Sequence, residues 1–223
     1  MNSDIKKLKQ NLRNNSIRGL ALDIDETLSW TAGLWVDELS KKFGNPENLS
    51  AKQILQRYKF IQNYPHWQND KALAWINKAR NSDKLQEKLP LIENANHIVN
   101  KIHKIIPIVC YLTIRAENVK TGTQNWLKSH RFPDAPVITR PKHLNHDEGT
   151  KWKAKTLNFL FPEVLGLVDD NPAILNFLPK NYKGSIFLYQ NFAENQKLKV
   201  FICKKWDDVL RKVKDLKIQV ELL

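Results

Sequence analysis

Apolar residues along the chain gather in short unbroken runs, separated by longer stretches in which they recur every three or four positions. The runs cover about 19–24 (Leu20, Ala21, Leu22), 107–114 (Ile108, Val109, Cys110, Tyr111, Leu112), 136–139, 164–168, 185–189 and 200–203. Runs this short, rich in β-branched and aromatic residues, predict strands buried on both faces. The intervening spacing is helical. Ile5, Leu8 and Leu12 mark one side of a helix over about 3–16, capped by Ser3 or Asp4. Further helices are predicted over 91–105, 117–130 and 151–160, with a short one beginning near Ala173 and a charged one from Trp206 onward. Strands alternating with helices predict an α/β fold: a Rossmann-like parallel sheet with helices on both faces.

One stretch breaks the alternation. Between Trp30 and Pro90 there is no strand pattern, and no glycine follows Gly44. Helical spacing is predicted at 35–43, 51–63 and 70–80, with Ser50 or Asn48 and Asn69 as caps. The predicted organisation is therefore an α/β core domain from residues 1–29 and 91–223, interrupted by a small α-helical domain at 30–90.

The ends of the strand runs carry the chemistry. The first run ends in Asp23-Ile24-Asp25-Glu26-Thr27. On an ideal strand Asp23 and Asp25 share a face, and α/β sheets bind ligands beyond the carboxyl ends of their strands. Two acids there suit a hard cation with oxygen ligands, and an aspartate can also attack an electrophile. The second run ends in Thr113, followed by Arg115, and the fourth in Asp169-Asp170-Asn171-Pro172. The helix between the third and fourth runs offers Lys151, Lys153 and Lys155. Oxygen ligands, a hydroxyl and a cation are what a phosphoryl group with Mg²⁺ requires.

In this order and apolar context the motifs resemble those of the haloacid dehalogenase (HAD) superfamily, in particular its phosphatase branch, over roughly residues 18–190. D-x-D-x-T is matched by Asp23, Asp25 and Thr27, the hydroxyl-terminated strand by Thr113, and the acidic strand end by Asp169 and Asp170. Lys153 is the favoured lysine, in the setting Trp152-Lys153 with Leu157. Two positions depart from the pattern: Ile174 stands where a further acid is common, and Glu26 where glycine is common. The resemblance implies Asp23 as nucleophile, Asp25 as general acid and then base, and Thr113 and Lys153 at the phosphate; Arg115, close behind Thr113, has two readings, a contact to phosphate or leaving group and a salt bridge. It implies Mg²⁺ held by Asp23, the Asp25 carbonyl and one of Asp169 and Asp170, with Asp170 favoured. It also implies a helical cap formed by residues 30–90. Asp25 separates phosphoryl transfer from dehalogenation, because a departing halide needs no proton. The expected activity is hydrolysis of a small phosphomonoester. A phosphotransferase using the same residues, and a non-catalytic protein binding nucleic acid through its basic surface, are the alternatives.

Composition changes the picture little. The formal charge of +13 favours anionic partners, small phosphorylated molecules first and nucleic acid second. Its lysines are dispersed except near Lys6, Lys7 and Lys9 and between 197 and 217. No apolar stretch is long enough for a membrane span. The residues from Met1 to Lys7 lack a signal core. Cys110 and Cys203 lie inside apolar runs and are expected to be buried free thiols, which suits a cytoplasmic protein. His143, His146, Asp147 and Glu148 form a polar loop without zinc spacing, read as solvated. Trp30, Trp35, Trp67 and Trp75 are expected mostly to pack within 30–90, with one or two free to face the site.

Overall fold

A computed structural model describes residues 3–193, 195 and 197–221, with the side chains of 217–221 left aside. Expectations for Met1, Asn2 and the Lys217 side chain therefore lie outside the described residues. In chain order the principal elements are α1 (Ser3–Asn14), β1 (Gly19–Leu22), α2 (Thr31–Phe43), α3 (Ala51–Tyr58), α4 (Asp70–Arg80), α5 (Asp83–Gln86), α6 (Ala95–His103), β2 (Ile108–Ala116) and α7 (Lys120–Ser129). These are followed by β3 (Val137–Arg140), α8 (Gly149–Leu160), β4 (Val164–Asp169), β5 (Ser185–Tyr189), β6 (Lys199–Cys203) and α9 (Trp206–Glu221).

The six strands are parallel and ordered β3-β2-β1-β4-β5-β6. Side-chain alternation divides the core in two. Leu20, Leu22, Ile108 and Tyr111 face α6, α7 and α9, whereas Ala21, Val109, Cys110 and Leu112 face α1 and α8. Because both faces are covered, the inner strands β1, β2, β4 and β5 are mainly apolar, which is why their runs show no alternation. The chain builds outward from β1 in one direction through β2 and β3, and in the other through β4. The crevice at the carboxyl ends of β1 and β4 lies where that order switches, the usual place for a ligand in such sheets. Both cysteines are free and buried, and burial pushes each thiol up to about 12. No helix of the described residues is long and apolar enough to cross a membrane.

Residues 31–86 form helices with an apolar cluster of their own, including Trp35, Leu39, Ile54, Tyr64, Trp67 and Ile76. The chain leaves and rejoins the sheet side by side. Ser29 bridges Leu91 antiparallel, Trp30 N donates to Pro90 O at 2.8 Å, and Ile92 N donates to Leu28 O at 2.8 Å. Several boundaries differ from the sequence expectation. The helix predicted over 51–63 begins with a Ser50/Gln53 capping box but stops at Tyr58, because Lys59 turns to φ 67°. Two 3₁₀ turns follow, Ile61–Asn63 and Pro65–Trp67, the second opening on a proline. The helix predicted from 35 already starts at Thr31, and that predicted over 91–105 is confined to Ala95–His103.

Candidate active site

Strand β1 ends at Leu22, so Asp23 is the first residue beyond it and is only 5% exposed. Its amide still donates to Val168 O of β4 at 2.9 Å, which aims the side chain into the crevice between the two strands. Lys153 lies on the buried stripe of α8 with Leu157 and Leu160. Its Nζ sits 2.7 Å from Asp23 Oδ1 and 2.7 Å from Asp169 Oδ2. One ammonium thus bridges two buried carboxylates. Lys151 and Lys155, on the opposite side of the helix, are exposed.

Electrostatics follow from burying several acids around one cation. Burial, Asp169 and Asp25 push the Asp23 carboxyl up, Lys153 opposes them, and the outcome is about 7. Lys153 is held above its usual value, because its two carboxylates outweigh burial. Asp169 accepts from Lys153 and, through Oδ1, from Asn171 N at 3.0 Å, so both its oxygens are engaged. The Asp170 carboxyl is pushed well above the ordinary range by burial and then by Asp169 and Asp23. Oxygens of Asp23, Asp169 and Asp170 lie within 4.8 Å of one another, the cluster of this kind found among the described residues.

Asp25 is differently placed. Arg115, with a side chain 4% exposed, donates from Nη2 to Asp25 Oδ1 at 2.7 Å and from Nε to Oδ2 at 3.0 Å. Thr31 Oγ1 adds a third hydrogen bond at 2.5 Å. Burial would raise this carboxyl, yet Arg115 and Thr31 hold it below its ordinary value. The remaining donors of Arg115 go to Thr123 Oγ1 (3.1 Å) and Ser29 Oγ (3.2 Å). Of the two readings of Arg115, the salt bridge is the one formed here, with the fork on Asp25 and two hydroxyls beside it. Thr113 is fully buried, and its Oγ1 accepts from Arg115 N at 3.2 Å, which leaves its own proton to donate.

Glu26 was only a departure from pattern in the sequence, and here it has a definite conformation. Its φ of 57° is the left-handed region that glycine enters without strain. Oε1 accepts from Ala32 N at 2.7 Å at the start of α2, while Oε2 is buried without a partner. Burial pushes this carboxyl up to about 8, against the Ala32 hydrogen bond. Ile174, the other departure, is fully buried in the 3₁₀ turn Pro172–Asn176 and brings no acid to the cluster. In the loop after β3, Glu148 and Asn145 hydrogen-bond reciprocally and His143 is exposed, so these residues assemble no metal cluster.

No protein-family model matches the chain, and no curated protein does. Solved structures do. A dehalogenase at 16% identity covers 89% of this chain and 97% of its own length, with a TM-score of 0.54. A HAD-superfamily hydrolase of subfamily IA, variant 1, from Geobacter sulfurreducens covers 89% and 97% at 11% identity and a TM-score of 0.54. The L-2-haloacid dehalogenase of Xanthobacter autotrophicus with chloropropionic acid covalently bound covers 89% and 98% at 14% identity, again at 0.54. With its six parallel strands in the order above, the chain has the fold of the HAD-superfamily hydrolases.

Proposed function

We propose that the protein is a Mg²⁺-dependent phosphatase that hydrolyses a small phosphomonoester through an aspartyl-phosphate on Asp23. The observation that carries this reading is the pairing of two different acids at one strand end. Asp23 is a buried carboxylate paired with Lys153 at 2.7 Å, and Asp25 is a second acid held ready by Arg115.

The donor set fits a hard cation. Its atoms are all carboxylate oxygens, gathered within 4.8 Å, and Asp170 is a half-buried acid that forms no salt bridge among the described residues. Asp23, Asp170 and the Asp25 carbonyl would hold it, with Asp169 kept for Lys153. A bound Mg²⁺ would neutralise charge between an attacking carboxylate and a phosphate that otherwise repel.

Asp23 attacks phosphorus and the bond to the leaving oxygen breaks, leaving an acyl-phosphate that water then hydrolyses. Thr113 donates to a phosphoryl oxygen, and Lys153 balances the charge of nucleophile and phosphate. Asp25, ionised in the grip of Arg115, suits the second half-reaction, in which it takes the proton of the attacking water. To protonate the leaving oxygen in the first half it must gain a proton, and a bound phosphate dianion raises its affinity for one. Residues 30–90 act as a cap that covers the crevice and excludes water. The two buried free thiols suit a reducing, cytoplasmic setting.

The test is p-nitrophenyl phosphate hydrolysis with Mg²⁺, with EDTA, and for Asp23→Asn, beside chloropropionate as a control. Metal-dependent release that the variant loses, with no halide release, is expected. Halide release without phosphatase activity would overturn the reading in favour of a dehalogenase.

A further inference from the structure

Near the carboxyl end of β2, two arginines form no salt bridge among the described residues. Arg115 is paired with Asp25, and Arg13, Arg57 and Arg211 each pair with an acid. Arg80 and Arg140 are half-buried, and among the described residues neither forms a salt bridge. A guanidinium taken partly out of water is ordinarily paired, because burying an uncompensated charge is costly.

Both arginines are held in place by neutral groups. Arg80, the last residue of α4, lies over the Trp35 ring at 5.7 Å and donates from Nη2 to Gln62 Oε1 at 2.8 Å. Arg140, the last residue of β3, donates from Nε to Ile114 O at 3.1 Å and from Nη1 to Leu144 O. Both positions border the carboxyl end of β2. Ile114 stands between Thr113 and Arg115, and the residues just after Arg80 dock on the segment that follows β2. There Asn118 Nδ2 donates to Asn81 O at 3.4 Å, and Gly122 N donates to Asp83 Oδ1 at 2.8 Å. The charges acting on Arg80 are Asp147, Asp25 and Arg140, so the two arginines and the catalytic acid share one neighbourhood. Half-buried His146, in the loop that follows Arg140, feels the charges of Arg80, Arg140, Asp147 and Asp25. Asp147 and Glu148 are the opposing acids, both exposed to solvent, and Asp25 is already neutralised by Arg115. The two guanidiniums are the half-buried charges here that form no salt bridge among the described residues.

We propose that Arg80 and Arg140, with His146 beside them, form a subsite for a second phosphate on the leaving portion of the substrate. The inference rests on the phosphatase reading for its orientation: the first phosphate lies at Asp23, and the second lies past Asp25 toward the helical segment. The substrate class is then a phosphomonoester that carries another phosphate, either on a small bisphosphorylated molecule or as the phosphodiester next to a terminal phosphate. A forked guanidinium suits such an oxyanion better than a surface lysine does.

The experiment measures binding first, so that it does not depend on turnover. Full-length Asp23→Asn protein is titrated calorimetrically with adenosine 3′-monophosphate, adenosine 3′,5′-bisphosphate and a 3′-phosphorylated dinucleotide. The two ligands bearing a second phosphate should bind at least about tenfold more tightly than the monophosphate. Adding Arg80→Gln or Arg140→Gln should each erase most of that ratio, and taking the ratio within each variant cancels general damage to the fold. The tighter of the two ligands identifies the source of the second phosphate. Equal affinity for all three, or a ratio unchanged in both variants, overturns the subsite. If the ratio holds while wild-type protein hydrolyses no phosphomonoester, the phosphatase reading fails and the anion subsite stands.

Discussion

Asp25 is subject to opposing influences, burial raising its carboxyl and the Arg115 fork lowering it, with the fork prevailing. Replacing Arg115 with glutamine keeps hydrogen-bonding capacity and removes the charge, so the Asp25 carboxyl should rise. If Asp25 is the base that frees the hydrolytic water, the acid limb of the kcat–pH profile moves upward in Arg115→Gln. An unmoved limb in an active variant would detach Asp25 from the rate. Single residues differed in how openly the sequence displayed them. Lys153 stood apart from Lys151 and Lys155 through its setting between Trp152 and Leu157, and it lies on the buried stripe of Leu157 and Leu160. The role of Arg115 was not distinguishable: phosphate contact and salt bridge use the same residue type, and only the fold brings Arg115 within reach of Asp25, 90 positions earlier. Glu26 carried a weak signal, a bulky residue where glycine is usual, whose cause is its positive φ.

Among elements, the inner strands were legible to within about two residues because they are buried on both faces and read as apolar runs. Helix ends inside 30–90 were not, because Lys59 enters a left-handed conformation that no local pattern announces. Nor could the sequence show that the residues just after α4 dock on the segment that follows β2, as Asn81 O does on Asn118 Nδ2. The contact that brings the helical segment down on the core is α5 against α7. A Cβ built on Gly122 would stand 2.6 Å from the Asp83 backbone, closer than real contacts allow, and Gly122 N donates to Asp83 Oδ1. Gly122→Ala should therefore push α5 away from α7. We expect about 1–3 kcal/mol of lost stability in urea denaturation and a rise in KM exceeding any fall in kcat, because the element displaced adjoins Arg80. Unaltered stability and KM would show that α5 is free to shift without consequence.

At the scale of the whole molecule, the site is a concentration of buried acids inside a chain of net charge +13. Asp23 is pushed up to about 7 and Glu26 to about 8. An acid whose folded value is raised binds more protons in the native state than in the unfolded one. Without metal, these groups therefore remove stability as pH climbs from roughly 4.5 to 8, by at most about 1.4 kcal/mol per pH unit for each group. The global charge works the other way, since its self-repulsion falls as pH rises. The two tendencies separate if unfolding is compared with and without Mg²⁺ at each pH. Global repulsion is nearly common to both conditions, whereas the cation binds only the deprotonated site and must displace protons below about 7. The thermal shift produced by a fixed Mg²⁺ concentration should thus grow between pH 5.5 and 8. It should reach about 5–10 °C where the ion stands a hundredfold above its Kd, from about 2.7 kcal/mol of linkage and about 2–4 °C per kcal/mol for a domain this size. Ca²⁺ prefers more and longer oxygen contacts than this small cluster offers and should shift unfolding less. Asp170→Asn should abolish most of the Mg²⁺ shift, because it removes the acid of the cluster that forms no salt bridge among the described residues. A shift independent of pH, or intact in Asp170→Asn, would mean that the ion binds elsewhere on the protein and that the acidic cluster at the strand ends is not its site.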